Sequence, residues 1–265
     1  MPTTTVNNVA FHYQERGRGV PIVLLHGFPL DSRMWDAQVE SLSDRYRVIT
    51  PDLRGFGGSL PPAPFTVASF ADDVHALLKQ IGALPCLLGG FSMGGYISLA
   101  FARKYPSDLL GLALIDTRSE GDTSAGKENR AKMIRLVDEN GTKGVVEEMF
   151  PRMLADFTIT QRPDVVRRLR EIMESQHPQT VKHALVALRD REDYSGDLPS
   201  LRVPALIIVG EQDAITPPVL AEGMGKAIRN PTLAVIPRAG HMAPMEQPEE
   251  VTLALRRFAE QLAVR

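Results

Sequence analysis

Apolar positions along this chain follow two rhythms that alternate. Short unbroken runs, such as Pro21-Ile22-Val23-Leu24-Leu25, suggest strands buried on both faces. Longer stretches with apolar residues three and four apart suggest amphipathic helices. Val6 to Gln14 alternates and predicts a first strand, with Gly17-Arg18-Gly19 as a turn. The Pro21–Leu25 run is next, followed by Trp35, Val39 and Leu42 at helical spacing. Tyr46 to Thr50 predicts a strand and Leu60 to Pro64 a loop. Phe70, Val74, Leu77, Leu78 and Ile81 mark a helix, with Gly82 placed at its C′ position. A strand ending at Leu87-Leu88-Gly89 leads into a helix over Tyr96 to Lys104, and Leu109 to Ile115 predicts another strand. Strands alternating with helices predict a mostly parallel sheet covered on both sides, an α/β fold.

The rhythm changes from Thr117 to about Gly196. This stretch reads as helices only, over Lys127–Glu139, Lys143–Ala155, Pro163–Ser175 and Pro178–Arg189. Alternation then resumes with a strand at Val203–Val209, a helix at Pro217–Ile228, a strand at Thr232–Ile236 and a closing helix at Pro248–Ala263. The expected organisation is therefore one core domain, 1–116 with 197–265, carrying a helical insertion at 117–196. An insertion after the C-terminal end of a strand is read as a lid, because ligands bind at that edge of open α/β sheets. Met149, Met153 and Phe157 in the insertion are candidates to line a pocket beneath it.

Composition narrows the functional classes. The 265 residues suffice for one large domain with a substantial core. A net charge of −2 gives no electrostatic footprint for nucleic acid. The single cysteine, Cys86, excludes an internal disulfide framework and a cysteine zinc cluster. No run of 18 apolar residues predicts a membrane span. Met1 to Asn8 has neither a basic segment nor an apolar core of a signal peptide, so the expectation is a cytoplasmic protein. No pattern sets an oligomeric state.

Candidate chemistry centres on Gly90-Phe91-Ser92-Met93-Gly94, a G-x-S-x-G match between a strand and a helix. That context suits a nucleophile elbow, in which the serine stands clear of a sharp turn. A serine hydroxyl is weakly nucleophilic and needs a base, an acid to orient the base, and donors for the oxyanion. Each partner is sought just past a strand. Asp213 follows the Val203–Val209 strand and is the candidate acid, although it reads equally as a loop or helix-capping residue. Asp116 competes, since it too follows a strand. His241, in Gly240-His241-Met242, is the candidate base. His26 is its rival and is better read as a support for its own loop. The order Ser92, Asp213, His241 is the chain order expected for such a relay. The oxyanion donors would be the backbone N–H groups of Met93 and of Phe28, the latter in His26-Gly27-Phe28-Pro29. Phe28 would also wall the substrate pocket.

These segments, together with Asp52-Leu53-Arg54-Gly55-Phe56-Gly57-Gly58-Ser59 and Gly210-Glu211-Gln212-Asp213, resemble the α/β-hydrolase superfamily with a helical lid along essentially the whole chain. The resemblance implies Ser92 as nucleophile, Asp213 as acid and His241 as base. It implies a small carboxylic ester or lactone as substrate, with no metal and no cofactor. In flavour the chain looks like bacterial carboxylesterases and 3-oxoadipate enol-lactonases. Phe91 departs from relatives that carry histidine before the serine. A serine nucleophile argues against the dehalogenase and epoxide-hydrolase branches, which use aspartate. Carbon–carbon bond hydrolysis and cofactor-free perhydrolysis are alternative uses of the same residues. A non-catalytic receptor is a third reading.

Overall fold

The computed structural model describes residues 2–61 and 64–263. Among the described residues, eight strands form one sheet in the order β1-β2-β4-β3-β5-β6-β7-β8. The first two, β1 (Thr3–Val6) and β2 (Val9–Arg16), form an antiparallel hairpin where the sequence predicts a single strand. The correction lies at Asn7 and Asn8, whose φ angles are 49° and 61°. Two asparagines in the left-handed region make a tight hairpin turn. The alternation of apolar residues runs through that turn and hides it.

From β3 (Pro21–Leu25) onward the sheet is parallel: β3 pairs with β4 (Arg47–Pro51) and with β5 (Cys86–Phe91), and β6 (Leu109–Ile115), β7 (Ala205–Gly210) and β8 (Thr232–Ile236) continue it. Successive residues serve opposite faces. Val23, Leu25, Leu88, Leu112 and Ile207 join a core with α2 (Val67–Gln80) and α3 (Met93–Lys104). Ile22, Leu24, Leu87, Ala113 and Ile208 join another with α1 (Asp36–Leu42) and, at the far end of the chain, the residues Val251, Leu255 and Phe258. Two buried faces explain why the strands read as unbroken apolar runs. α2 begins with a reciprocal Thr66–Ser69 capping box and ends before Gly82, at φ 62°.

Between β6 and β7 the described residues form helices and no strand. α4 (Ser124–Met149) bends sharply at Gly141, whose φ of 64° interrupts it where the sequence predicts a break between two helices. The second of those helices is predicted to reach Ala155, but it stops at Met149 and gives way to a 3-10 turn over Phe150–Arg152. Pro151 lacks an N–H to continue the ladder. A short α5 (Asp156–Gln161), unforeseen from the pattern, precedes α6 (Pro163–Glu174) and α7 (Pro178–Arg189). After β7 come α8 (Pro218–Ala227), a four-residue α9 (Ala243–Glu246) and the closing α10 (Pro248–Ala263). The predicted loop at 60–64 falls partly on 62 and 63, outside the described residues. No described helix is long and apolar enough to cross a membrane.

Candidate active site

Ser92 joins β5 to α3 with φ 50° and ψ −111°, a conformation unfavourable for a residue with a side chain. The glycines around it make the turn sterically feasible. A methyl group on Gly90 would run into the Gly94 carbonyl and the Ser98 hydroxyl. One on Gly94 would stand 2.5 Å from the Leu25 carbonyl oxygen and 2.9 Å from that of His26. Bare backbone thus lets the exit of β3 press against the first turn of α3. Ser92 takes the N-cap position of α3, but its hydroxyl makes no capping bond and remains available. The helix N-terminus behind it favours negative charge.

The Ser92 Oγ lies 3.0 Å from His241 Nε2. On the other edge of the ring, His241 Nδ1 lies 2.8 Å from Asp213 Oδ2. Asp213 has its remaining capacity filled: Oδ1 accepts the amides of Ile215 (2.8 Å) and Thr216 (2.9 Å), and Oδ2 accepts the Thr216 hydroxyl at 2.6 Å. Burial alone would raise its pKa. The adjacent imidazole and these donors outweigh burial and bring it down to about 2, so the carboxylate is charged at neutral pH. These contacts orient the ring with Nδ1 toward Asp213 and Nε2 toward the serine hydroxyl.

The competing residues occupy other positions. Asp116, at φ 43° after β6, accepts the Gly210 amide at 2.7 Å and so ties β6 to β7. Complete burial, with the Asp213 charge nearby, pushes its carboxyl well above the ordinary range. The two carboxyls are thus shifted in opposite directions, Asp116 up and Asp213 down. His26 is buried, with Nδ1 2.8 Å from the Gly27 carbonyl and Nε2 accepting the Leu53 amide at 3.0 Å. Burial lowers its pKa. Both ring nitrogens are engaged in holding the loops after β3 and β4.

Phe28 and Met93 are buried on the two segments that the glycines bring together. Met93 opens α3, in the turn whose N–H groups lack intrahelical acceptors. The Phe28–Pro29 peptide is cis. A methyl on Gly27 would lie 3.1 Å from Ser92 Cβ and 2.6 Å from the Phe91 ring, so this loop runs directly alongside the serine. Of the three candidates from the helical segment, Met149 borders a cavity of about 300 Å³ together with Ile215. Met153 is fully buried in the core, and its carbonyl accepts the Met242 amide at 3.1 Å. Phe157 is half-buried, with the Arg238 guanidinium 5.0 Å above its ring.

One buried carboxylate was not evident from the sequence. Glu246 Oε1 accepts the amides of Gly240 (2.8 Å) and Met242 (3.1 Å), while Oε2 accepts the Ala155 amide (2.8 Å) and the Thr158 hydroxyl (2.6 Å). Burial raises its pKa and the four donors oppose the rise. The Gly-His-Met segment and the start of α5 are thereby bound to one side chain.

A glycine-lined serine elbow at the C-terminal edge of a mostly parallel sheet, with a histidine and an aspartate beyond the next strands, defines a class of protein. The chain belongs to the alpha/beta hydrolase fold family, whose model matches residues 20–248. It is 30% identical over 278 residues to a putative non-heme chloroperoxidase of Synechocystis sp., covering 98% of this chain and 100% of the relative. It is 26% identical to 3-oxoadipate enol-lactonase 2 of Acinetobacter baylyi, with 97% of each chain covered. Among solved structures it resembles a thermophilic esterase from Thermogutta terrifontis, described with malate bound. That match has a TM-score of 0.94 and 42% identity, over 98% of this chain and 97% of the other.

Proposed function

We propose that this protein is a serine hydrolase that cleaves a small carboxylic ester or lactone through an acyl-enzyme intermediate. The observation that carries the reading is the Ser92–His241–Asp213 relay, with spacings of 3.0 and 2.8 Å around a strained serine. In this scheme His241 Nε2 takes the proton from Ser92 Oγ as the oxygen attacks the substrate carbonyl. Asp213, charged and held by Thr216, stabilises the imidazolium that forms. The Phe28 and Met93 amides stabilise the oxyanion. The imidazolium then protonates the leaving alcohol, and His241 activates a water that releases the acid. Helices α4 to α7 act as the lid. The scheme requires no metal or organic cofactor.

The esterase and enol-lactonase names of the relatives support the substrate class. The decisive test is Ser92→Ala, which should abolish turnover of p-nitrophenyl acetate and labelling by a fluorophosphonate. Full activity in that variant would remove Ser92 from the mechanism. The chloroperoxidase name of one relative favours a second use of the same relay, perhydrolysis of a carboxylic acid by peroxide. Peracid formation from acetate and hydrogen peroxide would reveal it.

A further inference from the structure

The 300 Å³ cavity that Ile215 borders, two residues past Asp213, is lined by Arg118, Arg130 and Arg152, with Asp122 and Glu148 as its carboxylates. Their charges do not balance. Asp122, almost completely buried, receives three guanidinium groups: Arg118 Nη2 at 2.7 Å, Arg191 Nη1 at 2.6 Å and Arg130 Nε at 3.1 Å. Glu148 is paired with Lys132 at 2.9 Å. Arg152 donates to the Ala214 carbonyl, an uncharged acceptor. Along the lining three guanidinium groups therefore stand against two carboxylates, and Arg191 and Lys132 pair with those carboxylates from outside it. The Arg118 and Arg130 side chains are partly withdrawn from water, where an added anion interacts with such an excess more strongly than in bulk solvent. The lining also includes Met133, Met149 and Ile215, apolar surface for a short hydrocarbon chain.

Three links bind this cavity to the proposed catalytic residues. Arg118 follows Thr117, whose hydroxyl donates to the Ser92 carbonyl at 2.8 Å. The Ile215 amide donates to Asp213. Arg191 stacks 4.3 Å over the ring of Tyr96, one turn along the helix that Ser92 begins. These contacts tie residues around the cavity to the serine elbow and to the loop that carries Asp213.

We infer that the cavity binds a carboxylate carried by the substrate itself, so that the preferred substrate is an ester or lactone with a free acid group at the end of a short chain. This rests on the hydrolase reading above. Guanidinium forks recognise carboxylates through charge-assisted bonds that a neutral chain end cannot replace.

The test uses pairs of esters matched in length. p-Nitrophenyl valerate and the mono-p-nitrophenyl ester of glutaric acid differ only in a terminal methyl or carboxylate on the acyl side. Propyl butyrate and the butyrate ester of 3-hydroxypropanoate place the same contrast on the alcohol side. In one pair the wild type should favour the acid-bearing member in kcat/KM. Arg130→Met should lower that preference about tenfold or more, and Arg130→Lys by less. Preferences that are absent, or that do not move in Arg130→Met, overturn the inference. Free glutarate should inhibit the neutral ester competitively; if it accelerates turnover instead, the cavity serves a separate acid and the substrate assignment fails. Should the wild type cleave no ester, the hydrolase reading fails by itself. Thermal stabilisation by glutarate, present in the wild type and lost in Arg130→Met, would still support the anion site, and its absence would overturn it. Melting temperatures of both variants without ligand verify that each is folded.

Discussion

Glu246 grips the backbone on both sides of His241, through the amides of Gly240 and Met242, without touching the imidazole. Its second oxygen holds Ala155 and Thr158 at the start of α5. Glu246→Ala would strand several buried donors at once, at about 1–3 kcal/mol each. We expect a melting temperature lowered by many degrees and a fall in kcat larger than any rise in KM. Glu246→Gln presents an amide that matches only one of the two donor pairs. Hydrogen exchange should then rise at Met242 or at Ala155, whichever pair has lost its acceptor. Unchanged exchange at both would refute this account of Glu246.

Asp213→Asn should lower kcat by about 10⁴-fold, because a neutral amide neither orients the ring with Nδ1–H inward nor stabilises the imidazolium. Steady-state kinetics on p-nitrophenyl acetate, with circular dichroism to confirm folding, checks this. Asp116→Asn should leave the relay's charge intact and retain most of the activity. If the two variants were equally inactive, the distinction between the two carboxyls would be lost.

Asp116 also predicts a pH dependence of stability. Its folded-state pKa lies well above the ordinary 3.8 because burial disfavours the charged form. The stability it contributes is complete below about pH 3.8 and declines as pH rises, until the folded-state pKa is passed. An asparagine side chain in its place has no proton to lose. Asp116→Asn should therefore be more stable relative to wild type at pH 7 than at pH 5, as read by urea denaturation at the two values. A gap that narrows with rising pH would reverse the assigned sign.

Gly90→Ala tests the elbow. The added methyl would meet the Gly94 carbonyl and Ser98 Oγ, neither at the end of a flexible chain. A loss of up to about 3 kcal/mol is expected from overpacking, together with a displaced Ser92 and reduced phosphonate labelling. Gly223→Ala, where a methyl would meet nothing within 4 Å, is the control and should be close to neutral.

Much of this was legible in the residue pattern. The unbroken runs at Pro21–Leu25 and Leu109–Ile115 coincide with β3 and β6 because those strands are buried on both faces. Ser92, Asp213 and His241 stood out because each follows a predicted strand, and the structure brings the three side chains within hydrogen-bonding distance. The hairpin at Asn7 and Asn8 escaped, since alternation continues across a two-residue turn. α5 and α9, of six and four residues, are too short for a helical period to register. Glu246 looked like one more acid near a helix start; its partners at 155 and 158 are some ninety positions away. The arginines around Asp122 are likewise scattered between positions 118 and 191, and only the fold collects them.

Ser92 and His241 are separated by 149 positions, and the histidine arrives with the last strand of the sheet. During synthesis the serine leaves the ribosome long before the imidazole of His241 can reach it. A chain interrupted ahead of β8 would carry the elbow yet possess only an ordinary alcohol. Under the proposed mechanism, synthesis through β8 to His241 is therefore the arming step, and fragments that stop short of His241 should be chemically inert.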